Sequence, residues 1–321
     1  MSKNILITYS VTDEQAAAIS AAAPGSTLRN ILKKDITRED ILWADIILGS
    51  PPMTYLHEND HLALVSLNSA GSTEYCAPGI LPDNTVLTNA TGAYGIIISE
   101  WMIGMLLNIY NHFAYYRDLQ KQNCWQKLSR GRYSVYGAKI LIVGAGNIGT
   151  EFAKRAKAMG AYTIGIRRSD TTPSEYFDEV HLTDALDTLL PQADVVALSL
   201  PGTDETAHIL SDERLALMKQ GSVLLNVGRG SAVDTDALRK HLQSGHLMAA
   251  ALDVTDPEPL NADHPLWQEP NAYITPHISG GMDSPISRRI IFELGLHNLK
   301  ACLGNGDYRN VVDRNTGYRK L

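Results

Sequence analysis

The chain has 321 residues, 44% hydrophobic and 20% charged, the composition of a globular protein long enough for two domains of ordinary size. A formal net charge of −7 argues against a nucleic-acid partner, because phosphate backbones are bound by basic surfaces. Cys76, Cys124 and Cys302 are odd in number, far apart and without zinc spacing, so neither a disulfide framework nor a metal site is expected, and a reducing cytoplasm fits best.

The first ten residues, MSKNILITYS, enter a strand at once and carry no long apolar run, so no signal peptide is expected. Strands are predicted over 4–8, 45–49, 62–67 and 85–89, with helices starting at Thr12 and Thr37 between them. Thr12 and Gln15 form a candidate capping box. A long helical pattern follows from about Ala93 to Gln122. Its most apolar part, Ile96 to Tyr110, holds Ser99, Glu100 and Asn108 and is too short and polar to span a membrane. After a loop with Gly131 and Gly137, strands are predicted over 139–143, 162–166, 194–200, 223–227, 248–254 and 272–275. The last helix opens at Ser284-Pro285, a Ser cap with Pro in the first turn, and runs to about Leu303. This alternation of strand and helix predicts an α/β fold with parallel sheets covered by helices on both faces. A chain that leaves one domain and returns to it by a final helix makes two connections, hence a hinge and a cleft.

The strongest motif is Gly144-Ala145-Gly146-Asn147-Ile148-Gly149, which follows the apolar run KILIV and opens a helical pattern that Gly160 can stop. Gly144 allows the tight turn, Gly146 a close approach of backbone to pyrophosphate, and Gly149 close packing of helix on strand. The helix N-terminus then offers free N–H groups to the phosphates. At the end of the next strand an NAD site normally has an acidic residue for the ribose hydroxyls. Here the sequence reads Ile166-Arg167-Arg168-Ser169, which suits a 2′-phosphate and points to NADP, with NAD possible.

Three later segments put polar residues at the carboxyl ends of predicted strands: Asn226-Val227-Gly228-Arg229-Gly230, then Asp253 to Pro259, then Thr275-Pro276-His277-Ile278-Ser279-Gly280. Singly, Arg229 reads as a surface arginine, Glu258 as part of a Pro-rich loop and His277 as a core histidine. Together, after a dinucleotide motif, they form the set that reduction of an oxo acid requires. Arginine grips a carboxylate or oxo group through its fork, histidine delivers a proton, and glutamate orients the histidine.

These stretches, with DVVALSLPGTDET, SLNSAGSTEY and TNATGAYGIIISEW, resemble the D-isomer-specific 2-hydroxyacid dehydrogenase family over nearly the full length, in particular its glyoxylate/hydroxypyruvate reductases. The resemblance implies a Rossmann-type doubly wound cofactor domain over 99–286, inserted in a flavodoxin-like α/β substrate domain formed by 1–98 and 287–321. It implies that Arg229, Glu258 and His277 are catalytic and that Arg229 and His277 touch the substrate. The backbone of Ala70, Gly71 and Ser72 would face the substrate carboxylate, and Asp253 would hold the nicotinamide carboxamide. Leu200, Pro201, Thr206, Val227, Gly228 and Gly280 complete the implied cofactor contacts, and Arg229 and His277 also border the cofactor. A homodimer and a D-hydroxy product are implied as well. The chain departs from the family pattern in two places: Gly71-Ser72-Thr73 lacks the usual Asp, and Arg167 stands where the ribose-binding acid is expected. A dinucleotide-sensing corepressor is the non-enzymatic alternative on this fold. A formate dehydrogenase would pair its histidine with glutamine rather than with Glu258, and a phosphoglycerate dehydrogenase of the serine-sensing type would carry a regulatory domain after residue 321.

Overall fold

The computed structural model describes residues 2–129 and 131–317. Contacts divide the chain into two units, Met1–Tyr94 with Met282–Leu321, and Gly95–Gly281.

In the first unit the elements run β1 (Asn4–Ile7), α1 (Asp13–Ala22), β2 (Thr27–Asn30), α2 (Arg38–Trp43), β3 (Ile46–Leu48), β4 (Leu64–Ser66) and β5 (Val86–Thr88). All strands are parallel, in the order β2-β1-β3-β4-β5, the flavodoxin-like arrangement. Thr12 and Thr37 each complete a capping box, with Gln15 and Asp40 respectively. Side-chain alternation along β1 makes both faces of the sheet apolar: Ile5 and Ile7 pack with Ile19 of α1, and Leu6 packs with Ile41 of α2. β2 escapes the sequence reading because TLRN has no apolar alternation; it is an edge strand with exposed ends, held by backbone pairing to β1.

The second unit runs α3 (Gly95–Asn111), α4 (Phe113–Lys121), β6 (Lys139–Val143), α5 (Asn147–Ala158), β7 (Tyr162–Arg167), β8 (Glu179–Leu182), α6 (Leu186–Leu189), β9 (Val195–Leu198), α7 (Asp212–Leu217), β10 (Val223–Asn226), α8 (Thr235–Gln243), β11 (Ala249–Leu252) and β12 (Ala272–Ile274). The sheet order is β12-β11-β10-β9-β6-β7-β8, all parallel, which is the doubly wound order with its switch point between β6 and β9. One face, with Leu141, Val143, Val196 and Leu224, packs with residues of α6, α7 and α8. α5 contacts β6 and β7 and also packs along α3. The helix expected over 93–122 is two helices, because His112 between them takes a left-handed conformation with φ 57°. β8, another polar edge strand, was also not anticipated.

Finally α9 (Pro285–Cys302) belongs to the first unit. Ser284 and Pro285 start it as expected, but the Ser284 side chain makes no capping hydrogen bond. Fully buried Asn298 fixes this helix to its sheet: its Nδ2 donates to Thr88 Oγ1 (3.0 Å) and Arg309 O (3.2 Å), while its Oδ1 accepts from Arg309 N (2.8 Å). With donors and acceptor satisfied, the buried amide does not carry the penalty of an unpaired polar group. Among the described residues no helix is long and apolar enough to cross a membrane.

Candidate active site

The glycine motif forms the turn between β6 and α5. Gly144 has φ +101°, and a Cβ there would lie 2.8 Å from Ser199 O. A Cβ on Gly149 would lie 2.4 Å from Gly144 O, so helix and turn touch at that point. Gly146 is different: its φ is −83°, and a Cβ there would meet nothing within 4 Å. Neither strain nor packing inside the chain demands glycine at 146, which fits a backbone kept bare for a ligand. The carbonyls of Gly144 and Ala145 are engaged, by Ser199 Oγ (2.7 Å) and Arg167 Nε (3.2 Å). The first i→i−4 bond of α5 runs from Thr150 N to Gly146 O, so the amides of Asn147, Ile148 and Gly149 precede it. This arrangement suits pyrophosphate: N–H groups at a helix N-terminus, with neighbouring carbonyls tied off.

Beside the turn, Arg167 ends β7. Its Nη1 donates to Asp170 Oδ2 (3.2 Å) and Thr172 O (3.3 Å), in addition to the Nε bond to the turn. Arg168 and Ser169 follow, both exposed. Across the switch point, Leu200 lies against Gly144, and Thr206 Oγ1 donates to Pro201 O (2.7 Å) and accepts from Thr203 N, closing the loop after β9.

Arg229 follows β10 in a loop whose two glycines are dictated by its neighbours. A Cβ on Gly228 would lie 2.5 Å from Leu200 O, and one on Gly230 would lie 1.9 Å from Thr255 O. Buried Asn226 shapes the turn, accepting from Gly228 N (3.1 Å) and donating to Arg229 O (3.0 Å), while Val227 packs inward. The Arg229 side chain is exposed, its Nη1 resting on Gly228 O at 2.8 Å.

After β11, the Asp253 carboxylate is 1% exposed and takes four hydrogen bonds. Oδ1 accepts from Thr275 Oγ1 (2.5 Å) and Ile278 N (2.9 Å); Oδ2 accepts from Ser279 N (2.9 Å) and Ser279 Oγ. The resemblance assigns Asp253 a direct contact with the nicotinamide carboxamide. In the structure its oxygens accept from residues 275–279, which ties the segment carrying His277 to Asp253. His277 itself is left-handed, φ 53°, with its N–H donating to Asp253 O (2.9 Å) and Thr275 O (3.0 Å). Its Nδ1 meets Glu258 Oε1 at 2.6 Å, and Gly280 lies just beyond, half-buried. Because the carboxylate accepts a hydrogen bond from Nδ1–H, Nε2 is the atom left to exchange a proton with a ligand. In the other unit, Ala70 and Gly71 are exposed after β4. Their carbonyls accept from Asn89 Nδ2 (2.8 Å) and Ser69 Oγ (2.8 Å), and the buried Ser72 hydroxyl donates to Gly317 O (3.2 Å).

Of the residues expected from the sequence, the structure brings Glu258 and His277 together and packs Gly144 and Gly149 closely in their turn; sequence reasoning assigned no supporting role to Asn89 and Ser199, nor to Asn226 and Ser279 within their segments. The signal for these was a polar residue at the end of an apolar strand, or one in a short loop after it. The Asp253 bonds generate a prediction. Asp253→Asn places an amide N–H₂ against a backbone N–H and leaves at least that one of the four bonds unmade, at a cost of about 1–3 kcal/mol to the order of this segment. Amide hydrogen exchange at Ile278 and Ser279 should speed up and kcat should fall about 10–100-fold. Unchanged exchange at those amides would remove Asp253 from this role.

A family model described as D-isomer specific 2-hydroxyacid dehydrogenase, NAD binding domain, matches residues 103–279. A glyoxylate reductase of Thermofilum pendens is 31% identical over 291 residues, covering 86% of this chain and 80% of its own length. Among solved structures, a D-isomer specific 2-hydroxyacid dehydrogenase family protein of Aeromonas salmonicida is 30% identical with a TM-score of 0.86, covering 98% of this chain and 100% of its own. An NADPH-dependent glyoxylate/hydroxypyruvate reductase of Sinorhizobium meliloti, solved with NADP and sulfate, is 26% identical with a TM-score of 0.82, covering 99% and 100%. With more than half of its residues matched by the family model, and with the motif glycines, arginine, glutamate and histidine arranged as described, this chain belongs to the D-isomer specific 2-hydroxyacid dehydrogenase family.

Proposed function

We propose that this dehydrogenase reduces a small 2-oxo acid, with glyoxylate and hydroxypyruvate as first candidates, to the D-2-hydroxy acid, and that it favours NADPH over NADH. The unit 95–281 serves as the cofactor domain and 1–94 with 282–321 as the substrate domain. The observation that carries the reaction is the 2.6 Å contact between His277 Nδ1 and Glu258, on segments that follow neighbouring strands of the sheet. The nicotinamide, when bound, supplies the hydride. His277 gives the proton on Nε2 to the oxo oxygen, and Glu258 keeps the ring oriented while it does so. The Arg229 fork holds the carboxylate or oxo group of the substrate.

The preference for NADPH rests on Arg167. A carboxylate at the end of β7 would accept the ribose hydroxyls and repel a 2′-phosphate; a guanidinium, with Arg168 and Ser169 after it, reverses both effects. The Sinorhizobium relative is NADPH-dependent, which agrees with this reading. A homodimer is supported by exposed aromatic side chains on α4 and the irregular segment after it: Phe113, the fully exposed Trp125, Tyr133 and Tyr136. The three cysteines are free thiols, in keeping with work in a reducing cytoplasm.

His277→Ala should lower kcat for 2-oxo acid reduction by about 10²–10⁴-fold with little change in NADPH affinity. Turnover near that of the native enzyme would sink the assignment. In steady-state assays at fixed low ionic strength, kcat/KM should be about tenfold to a hundredfold higher with NADPH than with NADH, the worth of a charge-assisted hydrogen bond. Arg167→Asp should shift that ratio toward NADH; an NADH preference in the native enzyme would refute the cofactor reading. Sedimentation at micromolar concentration should give the mass of a dimer, and a monomer would count against the aromatic surface as an interface.

A further inference from the structure

At the ribose corner the guanidinium that is to meet a 2′-phosphate already has an anionic partner. Arg167 Nη1 lies 3.2 Å from Asp170 Oδ2, and Asp170 is no loose side chain. Its Oδ1 accepts from Thr172 N (2.8 Å) and Thr172 Oγ1 (2.5 Å), so a turn of the chain holds the carboxyl in place. These hydrogen bonds, with Arg167 nearby, also keep the carboxyl below the usual carboxylate range, so it is charged at neutral pH. On the arginine, Nε is bound to Ala145 O and the two Nη1 protons are shared between Asp170 and Thr172 O. That leaves the Nη2 pair for an incoming anion.

We propose that Asp170 sets the cofactor selectivity of this corner. It competes with a 2′-phosphate for the Arg167 guanidinium, and it neutralises that guanidinium when the bound cofactor has no 2′-phosphate. The inference rests on the assignment of residues 167–169 to the adenosine ribose. A phosphate at this corner meets both an attractive guanidinium and a fixed negative charge three residues on, so the preference for NADPH is smaller than Arg167 alone would give. With NADH, the Arg167–Asp170 pair stays closed and no positive charge is left uncompensated beside the ribose. The carboxylate therefore serves the cofactor that lacks the phosphate, although it makes its bond to an arginine.

The test is equilibrium binding to the full-length protein, by calorimetry, of adenosine 2′,5′-bisphosphate and 5′-AMP. Asp170→Asn removes the charge and keeps a side-chain oxygen to accept from Thr172, so the turn is retained. Adenosine 2′,5′-bisphosphate should bind about three- to tenfold tighter in the variant, with 5′-AMP changed by less than about twofold, and the gain should shrink as salt is raised. Unchanged or weaker binding of the bisphosphate overturns the proposal, as does a parallel loss for both ligands, which would make Asp170 a structural residue only. In an Arg167→Ala background most of the gain should vanish; its full persistence would replace competition for Arg167 by simple repulsion and so overturn it. Failure of the NADP reading is seen separately, as native protein that binds the bisphosphate no tighter than 5′-AMP.

Discussion

Burying a carboxylate costs several kcal/mol unless enough donors surround it, and the site is arranged around one such group. Asp253 meets four donors, two backbone and two side-chain, all from residues 275–279. Losing one of them would leave a buried carboxylate short of a donor, so these bonds help to hold the segment that carries His277. The left-handed backbone of His277 belongs to the same constraint. A non-glycine residue at φ 53° costs about 1–2 kcal/mol, and it persists here because the bonds on either side of it fix the chain direction.

Further from Asp253, the sheet's own hydrogen bonds carry the positioning. The parallel ladder continues one residue past each strand: Ser199 N to Val143 O, Val227 N to Leu198 O, Asp253 N to Asn226 O and Thr275 N to Leu252 O. Residues just beyond the strands are therefore still held by sheet geometry. This is why ligands of doubly wound sheets gather at the carboxyl edge. It also explains the glycines that flank Arg229. Neighbouring strand ends come so close that Gly228 and Gly230 have backbone atoms of Leu200 and Thr255 where a Cβ would stand.

Much of this was legible in the sequence because it follows from local chemistry. The buried strands are continuous apolar runs, and the turn glycines sit at fixed offsets from them. The polar residues that follow each run mark its carboxyl end. The edge strands β2 and β8 were not legible: TLRN has no apolar alternation, and EVHL alternates over four residues only, at a sheet margin where backbone pairing to one neighbour holds it. His112 has no local signature for its left-handed turn, so two helices read as one. The role of Asp253 was hidden for another reason: its donors lie more than twenty residues away and converge only when β12 pairs with β11.

Asp253, Glu258 and Asp170 fall into two physical classes by burial. Asp253 is out of water, so breaking its bonds is expensive and it serves as fixed scaffold. Glu258 and His277 are 41% and 45% exposed, and Asp170 is 53% exposed beside Arg167, so water and salt screen both pairs. An exposed pair is held weakly enough for a ligand of the right charge to rearrange it. A histidine that is to change protonation, and an arginine that is to accept or forgo a phosphate, need partners that orient them without locking them. Burying either pair would stiffen it at the expense of that response. Of these three carboxylates, the buried one is bonded to the 275–279 segment, and the exposed ones face a histidine and an arginine that a ligand can reach.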